Sequence, residues 1–346
     1  MKALKWYAPY NVKIEEAEEP EIVEETDAII RTTLAGICGT DLHVYRGHVQ
    51  IVPGNILGHE FVGIVEKIGR NVKNFEVGDR VVVSCWIADG TCWYCKNGFY
   101  TQCNKINIFG LGPLYGEEYP GAHAELVRVP NADLLLFKIP SEVEDEKVFA
   151  LSDGLPASYA GIVEGNFKPG YSVAVLGFGP IGAMAAMCAK SLGAGKIFAV
   201  DIDEERLKLA RELGFTSINS KEVDASEEIR NYTEGRGADL VVEAIGASEE
   251  VIKKAIELVR RKGTVSVVGM HVHDYNMPVG QLWVTEKRLV FVIGDTIKYR
   301  NELIELIKNN RIDISKIISH RIKLEEAPHG YEIFDKKKSF KVVIKP

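Results

Sequence analysis

The chain has 346 residues, which is enough for two domains of ordinary size. Hydrophobic residues make up 46% of it, so the chain can bury substantial cores, and its composition excludes an intrinsically disordered protein. The 42 basic residues are outnumbered by 49 acidic residues, and the resulting net charge of −7 argues against a nucleic-acid-binding protein, which usually has a strongly basic face.

Short β-like segments with glycine-rich and proline-rich breaks occupy roughly the first 135 residues. This spacing predicts a barrel-like, mostly antiparallel β domain. The clearest predicted strands are Lys2–Tyr7, Ala28–Leu34, Gly63–Ile68, Arg80–Ser84 and Ala124–Val129.

From about residue 170 onward, strands alternate with helices, and this rhythm predicts a parallel, doubly wound sheet. The predicted strands are Val173–Leu176, Ile197–Val200, Asp239–Val242, Thr264–Val268 and Arg288–Ile293, and the predicted helices are Pro180–Leu192, Asp203–Leu213 and Ser248–Arg261. A last helix at Tyr299–Asn309 and a last strand at Phe340–Ile344 are too few for a third domain. We therefore expect one domain from residues 1–155 and 296–346 and another from residues 156–295.

The longest apolar run, Val173–Ala189, contains three glycines and a proline and is shorter than the roughly 20 residues of a membrane-spanning helix. Within it the GFGPIG sequence at Gly177–Gly182 follows a predicted strand and opens a predicted helix, as in a dinucleotide-binding fingerprint. Asp201 ends the next strand, where a carboxylate would bind the adenosine ribose hydroxyls and repel a 2′-phosphate. A glycine-rich turn without a ligand is the alternative, but this context favours a cofactor, and NAD over NADP.

Six cysteines are too few for a disulfide scaffold. The N-terminus has no apolar segment or cleavage site typical of a secretory signal, so we expect the protein in the cytoplasm. Cys85, Cys92, Cys95 and Cys103 lie within 19 residues of one another. In a reducing compartment such a cluster more often binds a metal than forms disulfides.

Two short motifs offer ligands for a catalytic metal. Cys38 begins the sequence CGTDLH, and His59 is the centre of the sequence GHE. Thiolate and imidazole suit zinc, and a catalytic zinc typically takes three protein ligands plus one open position. A single cysteine or histidine is more often structural, so these two residues are weak candidates by themselves.

The pattern Asp89-x2-Cys92-x2-Cys95-x7-Cys103 predicts a closed structural zinc site. Closely spaced thiolates on a short loop can hold that loop in place of a hydrophobic core. The fourth ligand has two candidates. Asp89 stands at the regular interval and is favoured by spacing, whereas Cys85 offers a softer donor four residues earlier.

With these motifs the sequence resembles the zinc-containing medium-chain alcohol dehydrogenase family, and the resemblance extends over essentially the whole chain. The family signature GHExxGxxxxxGxxV is matched by Gly58, His59, Glu60, Gly63, Gly69 and Val72. The resemblance implies an α/β fold with a GroES-like β-barrel catalytic domain and a Rossmann domain with a doubly wound parallel sheet. The Rossmann domain would be inserted between the two segments of the catalytic domain.

The resemblance also implies which residues hold the catalytic zinc. In that family the cysteine of CGTD and the histidine of GHE are ligands, and Cys38 and His59 occupy these positions. The stretch LSDGLPASYAG places Asp153 at the third position, similar to bacterial secondary alcohol dehydrogenases and to formaldehyde dehydrogenases. Threonine and polyol dehydrogenases usually have a glutamate there. The structural zinc loop of the family has four cysteines, and this sequence departs from it at Asp89.

Further roles follow from the same resemblance. Thr40 and His43 would form the proton relay, Asp41 would orient His59, and Glu60 would be the acidic neighbour that can exchange onto zinc. The cofactor would contact residues of the glycine loop and of three later segments, with Lys341 approaching its phosphates. The complete set is Gly177, Gly179, Pro180, Ile181, Gly182, Asp201, Arg206, Val268, Gly269, Met270, Ile293, Gly294 and Lys341.

Cys85 and Trp86 stand where relatives place substrate-pocket side chains next to zinc, although a packing role is an equal alternative. The activity implied is reversible hydride transfer between a small alcohol and NAD. Polyol, L-threonine and formaldehyde dehydrogenases are the alternatives within the family. A zinc-free quinone reductase and a non-enzymatic scaffold are more remote alternatives. We expect no membrane partner. We expect a homodimer or homotetramer in which the edge strand Arg288–Ile293 pairs with a second subunit. The 27 lysines and 34 glutamates beside three glutamines favour a thermophilic source.

Overall fold

The structure is a computed structural model that describes residues 1–112, 118–246, 248–271 and 273–346. The chain divides into two compact units. Unit 1 consists of Met1–Pro156 and Asp295–Pro346, and unit 2 consists of Ala157–Gly294. Unit 2 is thus an insertion between the two segments of unit 1, and its limits lie one residue from the expected positions.

Unit 1 begins with mainly β structure. The strands of its first segment are β1 (Lys2–Ala8), β2 (Asn11–Glu16), β3 (Ala28–Gly36), β4 (Glu60–Ile68), β5 (Arg80–Val83), β6 (Trp86–Ile87), β7 (Asn107–Ile108), β8 (Leu126–Val129) and β9 (Leu136–Lys138). The helices are α1 (Gly39–Tyr45), α2 (Trp93–Lys96), α3 (Ala132–Leu135), α4 (Asp145–Val148) and α5 (Gly154–Val163), the last of which continues past the limit of the unit. Short 3₁₀ helices occupy Tyr100–Gln102 and Phe149–Ser152.

Unit 2 alternates strands and helices. Its strands are β10 (Ser172–Leu176), β11 (Lys196–Asp201), β12 (Thr216–Asn219), β13 (Ala238–Glu243), β14 (Val259–Val267) and β15 (Arg288–Phe291). Its helices are α6 (Pro180–Ser191), α7 (Glu204–Glu212), α8 (Ala225–Tyr232), α9 (Glu249–Leu258) and α10 (Val279–Thr285). The last segment returns to unit 1 with α11 (Thr296–Lys308), β16 (Ile318–Lys323), α12 (Ala327–Asp335) and β17 (Lys341–Lys345), and with 3₁₀ turns at Ile314–Ile317 and Leu324–Glu326.

The main sheet of unit 1 has the strand order β16-β17-β3-β4-β5-β9, with β8 also paired to β3. All of its pairs are antiparallel except β16 with β17. Strand β17 therefore brings the end of the chain next to β3, which comes from its beginning. Leu4, Trp6, Ile37, Leu57 and Tyr331 belong to one buried apolar cluster in this unit.

The sheet of unit 2 is parallel throughout, with the order β12-β11-β10-β13-β14-β15. All five residues of the central strand β10 are buried, as expected for a parallel sheet whose two faces are both covered. Asp203 caps α7 by accepting hydrogen bonds from the amides of Glu205 and Arg206, and Pro180 occupies the first turn of α6, where its missing N–H costs nothing.

The predicted α/β fold class is confirmed, but strand β12 and helix α8 of unit 2 were not predicted. Another local difference lies after Ser248. The helix predicted to reach Arg261 ends at Leu258, and β14 begins at the next residue. Val259 is the partner of Ala238 in β13, so pairing within the sheet ends the helix at a β-branched residue. Among the described residues, every helix is too short or too polar to cross a membrane.

Candidate active site

The backbone of unit 1 brings three predicted metal ligands to one place. In the register of β3 with β4, Gly36 faces Glu60, so Cys38 just after β3 and His59 just before β4 lie at the same end of the strand pair. Asp153 follows the 3₁₀ turn that ends at Ser152. The Ser152 carbonyl accepts a 2.8 Å hydrogen bond from the Thr296 hydroxyl, which fixes this turn.

The ligand atoms of Cys38, His59 and Asp153 all lie within 4.8 Å of one another. Oδ2 of Asp153 is 3.3 Å from Nε2 of His59 and 3.5 Å from Sγ of Cys38. The His59 ring is fully buried, and its Nε2 atom has no hydrogen-bond partner among the described residues. A buried nitrogen directed at a thiol and a carboxylate fits a metal ligand.

Asp41 lies behind His59 and determines how that ring is presented. Oδ1 of Asp41 is 2.9 Å from Nδ1 of His59, and its Oδ2 accepts a 2.8 Å hydrogen bond from the Cys38 amide. Burial opposes ionisation of Asp41, but the adjacent His59 holds the pKa of this carboxyl below its usual value. When His59 is neutral and its Nδ1 donates to Asp41, the lone pair of the ring is at Nε2, which faces the other two ligands.

The donor set fits zinc. Thiolate sulfur, imidazole nitrogen and carboxylate oxygen are all accepted zinc ligands, and three protein ligands are typical of a catalytic site. Burial raises the pKa of the Cys38 thiol, and the nearby Glu60 and Asp153 carboxylates raise it further. A cation at this cluster would compensate the buried negative groups, which are otherwise costly to keep together.

The two proposed relay residues lie on helix α1. Thr40 and His43 are three residues apart, a spacing that places side chains on the same face of a helix. The Thr40 hydroxyl is 3.8 Å from Sγ of Cys38. Burial lowers the pKa of His43, and the neighbouring His48 and Arg46 lower it further, so the imidazole is neutral at pH 7 and can accept a proton.

The position of Lys341 differs from the one expected for a residue that approaches the cofactor phosphates. Its side chain is 2% exposed, and Nζ forms an ion pair with Oε2 of the fully buried Glu60. A lysine that is buried and paired in this way has no free surface with which to contact a phosphate group. The placement therefore argues against the expected contact with the cofactor, and it assigns Lys341 to the surroundings of Glu60.

His123 is a buried residue of the site that the sequence reasoning did not single out. Its Nε2 is 3.2 Å from the Gly36 carbonyl oxygen, and its Nδ1 is 3.1 Å from the Tyr331 hydroxyl. The carbonyl can only accept, so Nε2 donates to it and Nδ1 accepts from Tyr331. The ring lies against Gly58, where a Cβ atom would come within 2.5 Å of it. His123 thereby packs against the residue that precedes His59.

A second cluster joins Asp89, Cys92, Cys95 and Cys103, whose ligand atoms also lie within 4.8 Å of one another. Asp89 accepts hydrogen bonds from the amides of Thr91 and Cys92 at 2.8 and 3.0 Å. Burial opposes its ionisation, but these two bonds and hydrogen bonds from the Cys95 and Cys103 side chains lower the pKa of Asp89 to about 2, so it carries a charge at neutral pH. Four close donors of this kind fit a closed structural zinc site.

Cys85, the other candidate for the fourth ligand, lies elsewhere. It is fully buried, and its Sγ atom is 3.4 Å from Oδ1 of Asp153. Burial raises the pKa of this thiol well above its usual value. The neighbouring Trp86 is partly buried and packs against the apolar cluster of unit 1, and its indole Nε1 has no hydrogen-bond partner among the described residues.

The glycine loop of unit 2 adopts the geometry that the fingerprint requires. Gly177 has φ +91°, which favours glycine, and a Cβ atom at Gly182 would come within 2.0 Å of the Gly177 carbonyl oxygen. Oδ2 of Asp201 accepts a 2.6 Å hydrogen bond from the Phe178 amide, and its Oδ1 accepts from the amides of Ile202 and Asp203. Asp201 thus connects the end of β11 to the loop.

The other expected cofactor residues, apart from Lys341, lie at the carboxyl ends of the parallel strands or in the helices that follow. Nη1 of Arg206, in α7, is 3.6 Å from Asp201. The remaining members follow β10, β14 and β15, and they are Gly179, Pro180, Ile181, Val268, Gly269, Met270, Ile293 and Gly294. In open α/β sheets, ligands bind just outside the carboxyl ends of the strands.

Comparison with known proteins agrees with this geometry. Residues 24–141 match the alcohol dehydrogenase GroES-like domain, and residues 180–309 match the zinc-binding dehydrogenase domain. An uncharacterised zinc-type alcohol dehydrogenase-like protein, AdhB of Bacillus subtilis, is 33% identical over 379 aligned residues, with full coverage of both chains. The chain belongs to the zinc-containing medium-chain dehydrogenase family.

Solved structures of this family have the same architecture. The alcohol dehydrogenase TADH from Thermus sp. ATN1 superposes with a TM-score of 0.95 at 37% identity, covering 100% of this chain and 99% of that one. A zinc-binding dehydrogenase from Sinorhizobium meliloti, solved with NADP, gives a TM-score of 0.89 at 26% identity and covers the same shares. The predicted family is confirmed, and the chain is an oxidoreductase of the alcohol dehydrogenase type.

Two contacts of this medium-chain dehydrogenase were not predicted from the sequence: Lys341 with Glu60, and His123 with Tyr331. They join positions 281 and 208 residues apart, so no local spacing reveals them. The only sequence signal is the residue type. A histidine or lysine within a strand-like apolar stretch needs a buried partner, and that requirement could have marked His123 and Lys341 for attention.

Proposed function

We propose that the chain is a zinc-dependent alcohol dehydrogenase that transfers hydride reversibly between a small alcohol and NAD. The observation that carries the proposal is the convergence of Cys38, His59 and Asp153 in a buried cluster whose imidazole Nε2 lacks any other partner among the described residues. These three residues would hold the catalytic zinc. When bound, zinc supplies Lewis acidity that lowers the pKa of a substrate hydroxyl, and the nicotinamide ring accepts hydride.

The residues around the cluster have matching roles. Asp41 fixes the His59 tautomer so that Nε2 stays available as a ligand. Thr40 would accept the proton of the substrate hydroxyl, and the neutral His43 would pass it on toward solvent. Glu60 is the acidic neighbour that can exchange onto zinc in this proposal, and Lys341 is its ion-pair partner in this structure.

The cofactor proposal is based on unit 2. Asp201 places a carboxylate beside the glycine loop, which supports NAD because that group would repel a 2′-phosphate. We further propose that Asp89, Cys92, Cys95 and Cys103 hold a structural zinc ion, and that Cys85 and Trp86 border the substrate pocket beside the catalytic cluster.

The test combines metal analysis with a substrate panel. Elemental analysis of the purified protein should give two zinc ions per chain. A panel of primary and secondary alcohols, polyols, threonine and formaldehyde, each with NAD and with NADP, should show turnover of small alcohols with NAD. Asp153→Ala should lose the catalytic zinc and the activity while keeping the circular dichroism spectrum of the wild type. Near-normal turnover of this variant would refute the ligand assignment.

A further inference from the structure

Cys85 is a buried thiol beside the catalytic cluster that belongs to neither set of proposed zinc ligands. It follows β5, and its backbone amide donates a 3.0 Å hydrogen bond to the carbonyl oxygen of Ser152. Ser152 is the residue before Asp153, so this bond joins two positions that are 67 residues apart in sequence. The side chain of Cys85 is thereby fixed next to the Asp153 carboxylate.

The two oxygens of Asp153 have different surroundings. Oδ2 faces His59 and Cys38 at 3.3 and 3.5 Å. Oδ1 has Sγ of Cys85 at 3.4 Å. An ionised carboxylate has no proton to donate, so in this contact the S–H group of Cys85 is the donor and Oδ1 is the acceptor.

We propose that Cys85 is a positioning residue for the catalytic metal: its S–H group holds Oδ1, and Asp153 therefore presents Oδ2 alone to the metal. The inference rests on the proposed function, because it takes Cys38, His59 and Asp153 as ligands. Carboxylates that ligate metals are themselves hydrogen-bonded, and loss of such an outer partner typically lowers metal affinity or activity about 10- to 100-fold. Asp41 is the outer hydrogen-bond partner of His59, and Cys85 is the outer hydrogen-bond partner of Asp153.

The alternative is that Cys85 is itself a ligand and supplies a second thiolate. The described geometry favours the positioning role, because Sγ of Cys85 contacts Oδ1 of Asp153, whereas His59 and Cys38 contact Oδ2. Among the described residues, the cluster of ligand atoms within 4.8 Å of one another contains Cys38, His59 and Asp153 without Cys85.

The experiment measures zinc affinity in the full-length protein by competition with a chelator. Cys85→Ala removes the donor, Cys85→Ser keeps an O–H donor, and Cys188→Ala controls for loss of a buried thiol in unit 2. We expect C85A to bind the catalytic zinc about 10- to 100-fold more weakly, and we expect C85S and C188A to stay close to wild type. Equal affinities in all four proteins would overturn the proposal, as would an equal loss in C85S and C85A.

A spectroscopic measurement separates the two roles of Cys85. In the cobalt-substituted protein, the thiolate-to-cobalt charge-transfer band should have the same intensity in wild type and in C85S, because only Cys38 contributes a thiolate to the catalytic site. A weaker band in C85S would show that Cys85 is a ligand and would overturn the positioning role. If His59→Ala leaves the metal content unchanged, the catalytic metal site itself is wrong and both proposals fall. Loss of metal in H59A with unaltered affinity in C85A refutes only this inference.

Discussion

Asp201 makes three backbone hydrogen bonds with one carboxylate. It accepts from Phe178 in the glycine loop and from Ile202 and Asp203 at the end of β11. A residue expected only to recognise the ribose of a cofactor therefore also holds the loop on which the cofactor would lie. The two roles predict different effects on cofactor affinity and cofactor preference.

For Asp201→Ala we expect both effects. Loss of a hydrogen bond to a charged group costs about 1.5–3 kcal/mol, so the KM for NAD should rise roughly 10-fold or more. Without the repelling carboxylate, the ratio of kcat/KM for NADP to that for NAD should increase. Steady-state kinetics with both cofactors measures each effect.

Asp203→Ala is the matched control for that variant. Asp203 is a neighbouring carboxylate that caps α7, so its loss should cost about 1 kcal/mol of stability. It should leave the cofactor preference unchanged. If D201A has the same preference as wild type, Asp201 does not select the cofactor.

Lys341 and Glu60 form an ion pair that is almost completely removed from water. Replacing Lys341 with Met leaves the Glu60 carboxylate buried without a partner, so K341M should lower the free energy of unfolding by roughly 3–5 kcal/mol. Lys345 lies in the same strand, but it is 59% exposed and pairs with Glu146 at 3.7 Å. Lys345→Met should therefore lower the free energy of unfolding by less than about 1 kcal/mol. Urea unfolding measures both. Equal losses would contradict a special role for the buried pair.

The loop from Asp89 to Cys103 is the element whose order depends most directly on a metal. It contains one turn of helix, α2, and the 3₁₀ turn at Tyr100–Gln102. Trp93 and Phe99 are 65% and 48% exposed, so burial of these large side chains supplies little of its stability. Four metal ligands would replace the missing core in this segment.

Asp89→Ala should therefore reduce the zinc content by one ion per chain and lower the thermal midpoint. Asp133→Ala is the comparison, because Asp133 likewise accepts hydrogen bonds from two backbone amides, those of Lys73 and Asn74, without joining a metal cluster. D133A should lower the midpoint but keep all of the zinc. Elemental analysis with differential scanning calorimetry distinguishes the two, and an unchanged zinc content in D89A would remove Asp89 from the ligand set.

Local elements were predictable because their causes are local. The strand, glycine turn and helix around Gly177–Gly182 follow from residues that are adjacent in sequence, and so does the cap at Asp203. The partner of Lys341 was not predictable, because it depends on β17 pairing with β3 across most of the chain. The contact of Cys85 with Asp153 also depends on distant parts of the chain, through the pairing of β5 with β4 and β9 and the backbone bond to Ser152. The sequence therefore indicated the ligand types and, through the family resemblance, Asp41 as the partner of His59. It did not indicate the partner of Lys341.

At the scale of the whole molecule, one apolar surface of unit 2 has no partner among the described residues. Strand β15 is the last strand of its sheet, and α10 precedes it in the chain. Trp283 and Val284 in α10 are 79% and 72% exposed, and Phe291 in β15 is 62% exposed. An exposed strand edge beside large apolar side chains favours pairing with a second copy of the chain, as expected for a homodimer or homotetramer.

Trp283→Lys should reduce the oligomeric state by placing a charge in that surface. Trp93→Lys changes another exposed tryptophan, in unit 1, and should leave the oligomeric state as it is. Sedimentation velocity at several protein concentrations measures both. A wild type that sediments as a monomer, or a W283K variant that assembles like the wild type, would show that this surface does not join two chains.

The position of β17 between β16 and β3 has a consequence for biosynthesis. During translation, residues 157–294 leave the ribosome complete before β17, one of the three strands that pair with β3, has been made. Unit 2 can therefore fold while unit 1 is still unfinished. Contacts between distant parts of a chain also form slowly. Unit 1, with the proposed catalytic cluster, would therefore be the last part of the protein to mature, and in nascent chains the proposed nucleotide site would form before the proposed catalytic metal site.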